Sequence, residues 1–158
     1  MIFRQWEKVL SKDKTQTRRL RKPSHSTIPP RKDSVVVVRT NYVQGGAWRS
    51  RTLWVVGKNY AVQPPGEPGS KKRGEKSVGR ITIEGIHSEP LQDISDEDLI
   101  KEGFYCYEDI GGAVLDELQP DREAFIEAWD NMYKGEPDYR WNDNPVIWVI
   151  DFRLAYAE

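Results

Sequence analysis

Cysteine, histidine and long apolar runs are scarce in this sequence of 158 residues, and each absence argues against a particular kind of site or segment. The single cysteine, Cys106, cannot close an intrachain disulfide, so we expect a cytoplasmic protein in a reducing environment. The two histidines, His25 and His87, lie far apart in the chain, which argues against a structural zinc site. The charged start of the chain and the lack of a long hydrophobic run predict neither a signal peptide nor a membrane-spanning helix.

Familiar enzyme motifs are also missing. The sequence contains no GxGxxG fingerprint, no P-loop and no GxSxG nucleophile elbow. A Ser–His or Cys–His pair would need two residues from distant parts of the chain to meet. If the protein is an enzyme, we therefore expect it to work without histidine, cysteine, a cofactor or a bound metal.

Acidic residues are scarce in the first half of the chain, and basic residues are scarce in the second. Residues 1–83 contain 19 Lys and Arg against 5 Asp and Glu, whereas residues 84–158 contain 5 against 20. Two interpretations stand. Either the halves pair electrostatically within one domain, or a basic face from the first half binds a phosphate-bearing partner.

The patterns that are present predict one domain over residues 1–158. Apolar residues at helical spacing predict helices at 2–12, 95–103 and 121–133, and Ser95 and Gly103 mark the ends of the second. Residues 64–77, rich in Pro, Gly and Lys, predict a mobile, solvated loop. Strands are predicted by β-branched or alternating runs at 35–43, 48–56, 59–63, 78–87 and 144–156.

These elements show no βαβ rhythm and no internal repeat. The fold class that fits them best is α+β, as a small, mostly antiparallel β-barrel with about three helices packed around it. Four aromatic residues lie on apolar stripes and are predicted to pack in the core: Phe125, Trp129, Trp148 and Phe152.

The segment SKDKTQTRRLRKP, residues 11–23, is unusual because two threonines, Thr15 and Thr17, lie among six cations. A threonine hydroxyl becomes a nucleophile only when a base takes its proton. A free lysine, with a pKa of about 10.4, is charged at neutral pH and cannot accept that proton. Burial, together with Lys12, Arg18 and Arg19, would lower the pKa of Lys14.

Five segments, in this order, carry a family resemblance: KTQTRR, VGRITI, EPLQDISDEDLIKEG, FIEAWDNMY and NPVIWVIDF. Together they resemble the ASCH family, a branch of the PUA-like barrels, over most of the chain. The resemblance implies a site between the Lys-Thr segment and the acidic helix that ends at Glu102 and Gly103. The long basic loop at 64–77 and the extra hairpin material at 35–56 depart from the family pattern.

The resemblance also implies an activity. Some ASCH members are similar to amidohydrolases that remove acyl groups from N4 of modified cytidine, and the residues that act in them match Lys14, Thr17 and Glu102. Lys14 is then expected to be the base, Thr17 the nucleophile and Glu102 the acid that serves the leaving group. Three further residues are expected to bind the substrate: Arg19, Thr15 and Tyr60.

An RNA-binding module is the alternative, because other ASCH members are regarded as RNA-binding proteins or nucleases. The partner is then RNA, with or without ribonuclease activity, rather than a modified nucleoside. The basic segment and the loop at 64–77 would contact it. No membrane and no obligate protein partner are predicted in either case. Four aromatic residues of the basic half pack in the core or at its rim, or else stack on a base: Tyr42, Trp48, Trp54 and Tyr60.

Glu102 also has a purely structural interpretation. A carboxylate at the C-terminal end of a helix is disfavoured by the helix dipole, so it needs a cationic partner. Arg19 or Lys14 is expected to supply it. A structural ion pair and a catalytic pair both fit this pattern.

Overall fold

The computed structural model describes residues 1–28, 36–43, 46–66, 76–110 and 113–157. Within these ranges it contains three α-helices and nine β-strands, and every ladder between two of the strands is antiparallel. The α+β class with mostly antiparallel sheets is therefore confirmed. The strand pairing within the described residues forms no closed barrel.

The main sheet has four strands in the order β1–β9–β6–β5. Its centre is the long pair of β6 and β9, whose alternating apolar side chains fill the core on either face. The basic segment supplies β1, which pairs with β9 so that Thr17 lies opposite Ile150. The strands of this sheet are β1 (Gln16–Leu20), β5 (Asn59–Val62), β6 (Gly79–Pro90) and β9 (Val146–Ala157).

Five further strands form a three-stranded sheet, β2–β3–β4, and a separate hairpin, β7–β8. The sequence predicts β3 and β4 within two residues of their ends, but it does not predict β2, β7 or β8. The first of these lies in a polar segment, and the other two carry acidic residues that weaken the strand pattern. The strands are β2 (His25–Ile28), β3 (Val36–Val43), β4 (Ala47–Val55), β7 (Tyr105–Ile110) and β8 (Ala113–Pro120).

The three helices are α1 (Trp6–Leu10), α2 (Asp96–Lys101) and α3 (Arg122–Met132). The predicted first helix, 2–12, is wrong over its first turn. There Ile2 forms a parallel bridge with Gln63, and the chain extends the sheet edge instead. The start of α2 is as predicted, since the Ser95 hydroxyl accepts a hydrogen bond from the amide of Asp98 at 3.1 Å.

The core consists of three apolar clusters around the main sheet. One lies between β1, β9, α2 and α3, and it contains Phe125 and Trp129. The second cluster lies against β5 and α1 and contains Phe152. The third lies against the three-stranded sheet and contains Trp148. All four aromatic residues predicted to pack in the core are buried, as expected. Among the described residues, no helix is long and apolar enough to span a membrane.

Candidate functional site

A cavity of about 360 Å³ lies where β1, the end of α2, α3 and the first residues of the chain meet. This volume is in the range of small-molecule sites. Its polar lining includes all three residues that the family resemblance marks as catalytic. The cavity is lined by Ile2, Phe3, Arg4, Gln5, Lys14, Thr17, Arg18, Arg19, Pro65, Glu102, Phe104, Phe125, Ala128, Trp129 and Met132.

The chain bends just before β1, which brings Lys14 and Thr17 to the same cavity although they are three residues apart. The amide of Lys14 donates a hydrogen bond to the carbonyl of Lys8 at 2.9 Å. The next amide, that of Thr15, donates to the carbonyl of Lys101 at 2.9 Å. These two bonds fasten the segment to the ends of α1 and α2, and regular strand geometry begins only afterwards, at Gln16.

Lys14 and Glu102 form a buried ion pair. The Lys14 Nζ lies 3.0 Å from Glu102 Oε1 and also donates to the backbone carbonyl of Glu102. Their side chains are 5% and 7% exposed. Burial lowers the pKa of Lys14; the carboxylate of Glu102 opposes this, and the nearby charges of Arg19 and Arg18 lower the pKa further. The expected direction is confirmed, although the exposed Lys12 is not among the causes.

Arg18 was expected only as one of the cations that lower the pKa of Lys14, and its ion pairs with carboxylates were not predicted. Its guanidinium is fully buried, and Nη1 lies 3.3 Å from Glu102 Oε2. Nη2 lies 2.7 Å from Glu89 Oε1 and 3.4 Å from Asp98 Oδ2. The backbone amide of Arg18 donates to Glu102 Oε1 at 3.2 Å. The cationic partners of Glu102 are thus Lys14 and Arg18, and the expected alternative, Arg19, is not one of them.

Thr17 is buried, and its hydroxyl makes no hydrogen bond to any other residue in the described part of the chain. Its place in β1 fixes the backbone opposite Ile150, so the side chain is held at the cavity without a fixed partner. A buried hydroxyl normally finds a hydrogen bond within the protein or from water. A hydroxyl that lines a cavity without one is available to a ligand.

The three residues expected to bind the substrate lie in different places. Arg19 lines the cavity, where Nη2 donates to the carbonyl of Ile2 at 2.8 Å. Its buried Nε has no partner among the described residues. Thr15 and Tyr60 are not part of the cavity lining within the described ranges. The Tyr60 hydroxyl instead accepts a hydrogen bond from the amide of Val55 at 2.8 Å.

The described residues contain no group of three or more His, Cys, Asp or Glu side chains that could hold a metal ion. His87 and Cys106 are both exposed. The charged and polar side chains that line the cavity are Arg4, Gln5, Lys14, Thr17, Arg18, Arg19 and Glu102.

A second feature is the hairpin of β3 and β4, which carries exposed aromatic and basic residues. Trp48 is 70% exposed and Tyr42 is 62% exposed, with ring centroids 5.3 Å apart, so packing in the core is wrong for these two. Arg39 and Arg51 face each other across the strands, and Arg49 follows on the same side. Within the described residues, none of the three arginines has a carboxylate within 4.0 Å.

The predicted basic loop at 64–77 lies mostly outside the described residues, which omit 67–75. Its mobility and its contact with RNA stay predictions. Of its described part, Pro65 lines the cavity.

Comparison of the chain with models of known protein families, with curated proteins and with solved structures gives no match in any of the three. The function of the cavity therefore has to be inferred from its own geometry and from the sequence pattern.

Proposed function

We propose that the protein is an amidohydrolase that removes the acyl group from N4 of an acylated cytosine nucleoside, built on a PUA-like fold of the ASCH family. One observation carries the proposal. A buried lysine with a lowered pKa, a threonine hydroxyl without a partner and a glutamate line a single cavity. These can serve as the base, the nucleophile and the proton carrier of an amide hydrolysis that passes through a covalent intermediate.

The Thr17 hydroxyl is not hydrogen-bonded to Lys14 in the structure; in the proposed reaction it turns toward the neutral Lys14 amine when the substrate binds and gives it the proton as its oxygen attacks the acyl carbon. The proton passes from Lys14 to Glu102, which lies 3.0 Å away, and then to the departing N4 as the C–N bond breaks. Water next hydrolyses the threonine ester and releases a carboxylic acid, which restores the hydroxyl. Arg19, whose Nε has no partner among the described residues, is placed at the cavity to stabilise the oxyanion.

The rest of the cavity suits a pyrimidine. Much of its remaining lining is apolar, including Phe104 and Trp129 from the first core cluster. A planar ring with little charge packs well against such side chains. The polar end then faces the acylamino group, which is where the chemistry takes place.

The test is incubation of the pure protein with N4-acetylcytidine, following cytidine by liquid chromatography. Thr17→Ala should remove most turnover, whereas the matched control Thr15→Ala, outside the cavity lining, should be mild. An unaltered rate in Thr17→Ala would rule out the covalent route. No turnover by the wild-type protein, on this and on longer N4-acyl substrates, would overturn the proposed activity.

Binding of single-stranded RNA is the second candidate function, and the β3–β4 hairpin supports it. Exposed aromatic rings provide stacking surfaces for bases, and arginines without carboxylate partners suit phosphates. This surface contains no residue of the cavity lining. Salt-sensitive RNA binding together with no turnover of N4-acetylcytidine would favour the binding module over the enzyme.

A further inference from the structure

Arg18 connects the cavity to acidic groups that lie behind it. Its fully buried guanidinium is shared by Glu102 in the cavity and by Glu89 and Asp98, neither of which lines the cavity. Arg18 and Lys14 bind opposite oxygens of the Glu102 carboxylate, Oε2 and Oε1. The two cations therefore compete for one negative charge.

We propose that Arg18 is a positioning residue of the site: it holds one oxygen of Glu102 while Glu89 and Asp98 hold Arg18, and it thereby sets how much negative charge Glu102 leaves for Lys14. The inference rests on the proposed function in so far as Lys14 is the base of that reaction. It adds residues to the three of the proposed reaction, since Glu89 and Asp98 would influence Lys14 only through Arg18.

The arrangement predicts effects of opposite sign for two charge-removing substitutions. With Arg18→Met, the whole charge of Glu102 acts on Lys14, so the ammonium form is stabilised and the pKa of Lys14 rises. With Glu89→Gln, Arg18 loses its nearest carboxylate, at 2.7 Å, and binds Glu102 more strongly. Lys14 then faces a more positive surrounding, and its pKa falls.

None of the other charged residues around this network is replaced in either variant, and among the described residues only His87 loses a carboxylate neighbour, in Glu89→Gln. Arg19 in β1 lowers the pKa of Lys14. The remaining charged and titratable groups around the pair are Arg4 in the cavity lining, Lys8 on the Gly103 carbonyl, His87 beside Glu89, Lys101 beside Asp98, Asp151 reached through Gln16, and Tyr133 near Arg19 and Glu102. A difference between the variants therefore reports on the replaced charge.

The experiment is an NMR titration of protein labelled with ¹³C at the lysine ε-carbons, with the Lys14 signal assigned by its loss in Lys14→Met. We expect the pKa of Lys14 to rise in Arg18→Met, to fall in Glu89→Gln and to stay near the wild-type value in Arg18→Lys, which keeps the charge. Arg153→Gln is the control, since Arg153 is exposed and pairs with Glu84 on the surface. It should leave the titration unchanged.

A merely structural role of Arg18 predicts a different pattern. Loosening the site would move Lys14 toward its ordinary pKa of 10.5 in Arg18→Met and in Glu89→Gln alike, together with a lower melting temperature. Changes of the same sign, or no change in either variant, would overturn the proposal. If Arg18→Met does not fold, Glu89→Gln decides alone: a fall supports the proposal, and a rise or no change overturns it.

Activity gives a second, separable readout. If Lys14 is the base, kcat/KM should fall as the pH drops below the pKa of Lys14. A shift of that pKa by one pH unit should then change kcat/KM at these lower pH values about tenfold. A protein in which the pKa of Lys14 responds as expected but N4-acetylcytidine is not hydrolysed would keep the positioning role of Arg18 and reject the proposed function.

Discussion

At the scale of single residues, the buried pair of Lys14 and Glu102 is a costly arrangement for a folded protein. Removing an ammonium and a carboxylate from water carries a penalty of several kcal/mol per ion, which mutual attraction only partly offsets. Burial is the largest cause of the lowered pKa of Lys14, so desolvation outweighs the attraction of Glu102. A lysine held in this way loses its proton at a lower pH than a free lysine does, which is the direction that a base requires.

The lowered pKa of Lys14 predicts a specific dependence of stability on pH. Between that lowered value and 10.5, the ordinary value, the unfolded chain binds more protons than the folded one, so stability rises with pH. Lys14→Met removes this contribution. Urea unfolding at a series of pH values should show the wild type gaining stability relative to the variant across this window, with no further gain above it.

Lys101→Met is the matched control for this titration, because a hydrogen bond to Glu97 raises the pKa of Lys101. A raised pKa gives stability that is present below 10.5 and lost as pH rises through the folded value. The effect should be small, since Lys101 lies near the surface where solvent screens the pair. A wild type that loses stability relative to Lys14→Met as pH rises would show that burial does not dominate at Lys14.

The partnerless hydroxyl of Thr17 separates function from stability. Thr17→Val keeps the shape of the side chain and removes a buried hydroxyl that bonds to no described residue, so thermal stability should be unchanged or slightly higher. Turnover of N4-acetylcytidine should fall on the order of a thousandfold or more if Thr17 is the nucleophile. Thr17→Ser should retain measurable activity. Parallel loss of melting temperature and activity in Thr17→Val would instead indicate a structural role.

At the scale of secondary structure, elements with local end signals were predictable and those decided by distant contacts were not. Ser95 begins α2, and Asp121 begins α3 by accepting a hydrogen bond from the amide of Ala124. The start of the chain has the apolar spacing of a helix, yet Ile2 pairs with Gln63, sixty-one positions later in the sequence. No local pattern contains that pairing.

Gly103 ends α2 and also fixes the position of Glu102 before it. Its φ of +88° is unfavourable for other residues, and an added Cβ would lie 3.1 Å from Gln5 Oε1 and 3.2 Å from Lys8 Cδ. Gly103→Ala should therefore lower the free energy of unfolding by about 1–2 kcal/mol for the backbone alone, with a further loss from the contacts. Chemical denaturation measures this loss.

Gly57 provides the control, because its φ is +84° but nothing described lies within 4 Å of an added Cβ. Gly57→Ala should show the backbone loss alone and leave turnover intact. Gly103→Ala should be less stable than Gly57→Ala and should also reduce turnover, since Glu102 adjoins it. Equal effects of the two substitutions would mean that the contacts with Gln5 and Lys8 are unimportant.

The β3–β4 hairpin predicts an effect on nucleic-acid binding that is independent of the cavity. Replacing Arg39, Arg49 and Arg51 with Gln should weaken binding of a single-stranded RNA and reduce the steepness of its salt dependence by up to about two in slope. Turnover of a free nucleoside should stay the same. Fluorescence anisotropy at several salt concentrations measures both quantities, and unaltered affinity would exclude the hairpin as a contact.

At the scale of the whole molecule, some cations of the basic first half form ion pairs with the acidic second half, and others do not. Buried and half-buried cations of the first half pair with acids of the second, as in Arg18 with Glu89 and Lys22 with Glu136, at 2.7 and 3.0 Å. The arginines of the hairpin have no such partner among the described residues. Pairing within the domain and a free basic surface therefore coexist in one molecule.

The site was predictable only in part, for a physical reason. Lys14, Thr17 and Glu102 followed from the family resemblance, because 85 positions separate Thr17 from Glu102 and no spacing rule joins them. The ion pairs of Arg18 were missed because neighbouring strand residues point to opposite faces, so Thr17 in the site would place the Arg18 side chain outside it. The carboxylates that surround Arg18 come from α2 and β6, and only the fold brings them together.

The release of cytidine and acetate from N4-acetylcytidine tests the central claim most directly. The wild-type protein should release the two products in equal amounts, and Lys14→Met, Thr17→Val and Glu102→Gln should each lose most of that activity while remaining folded. Any two of these substitutions together should cost little more than one, because the three residues act as a unit. A folded wild-type protein that releases neither product, or a Thr17→Val variant that releases both at the wild-type rate, would contradict the account.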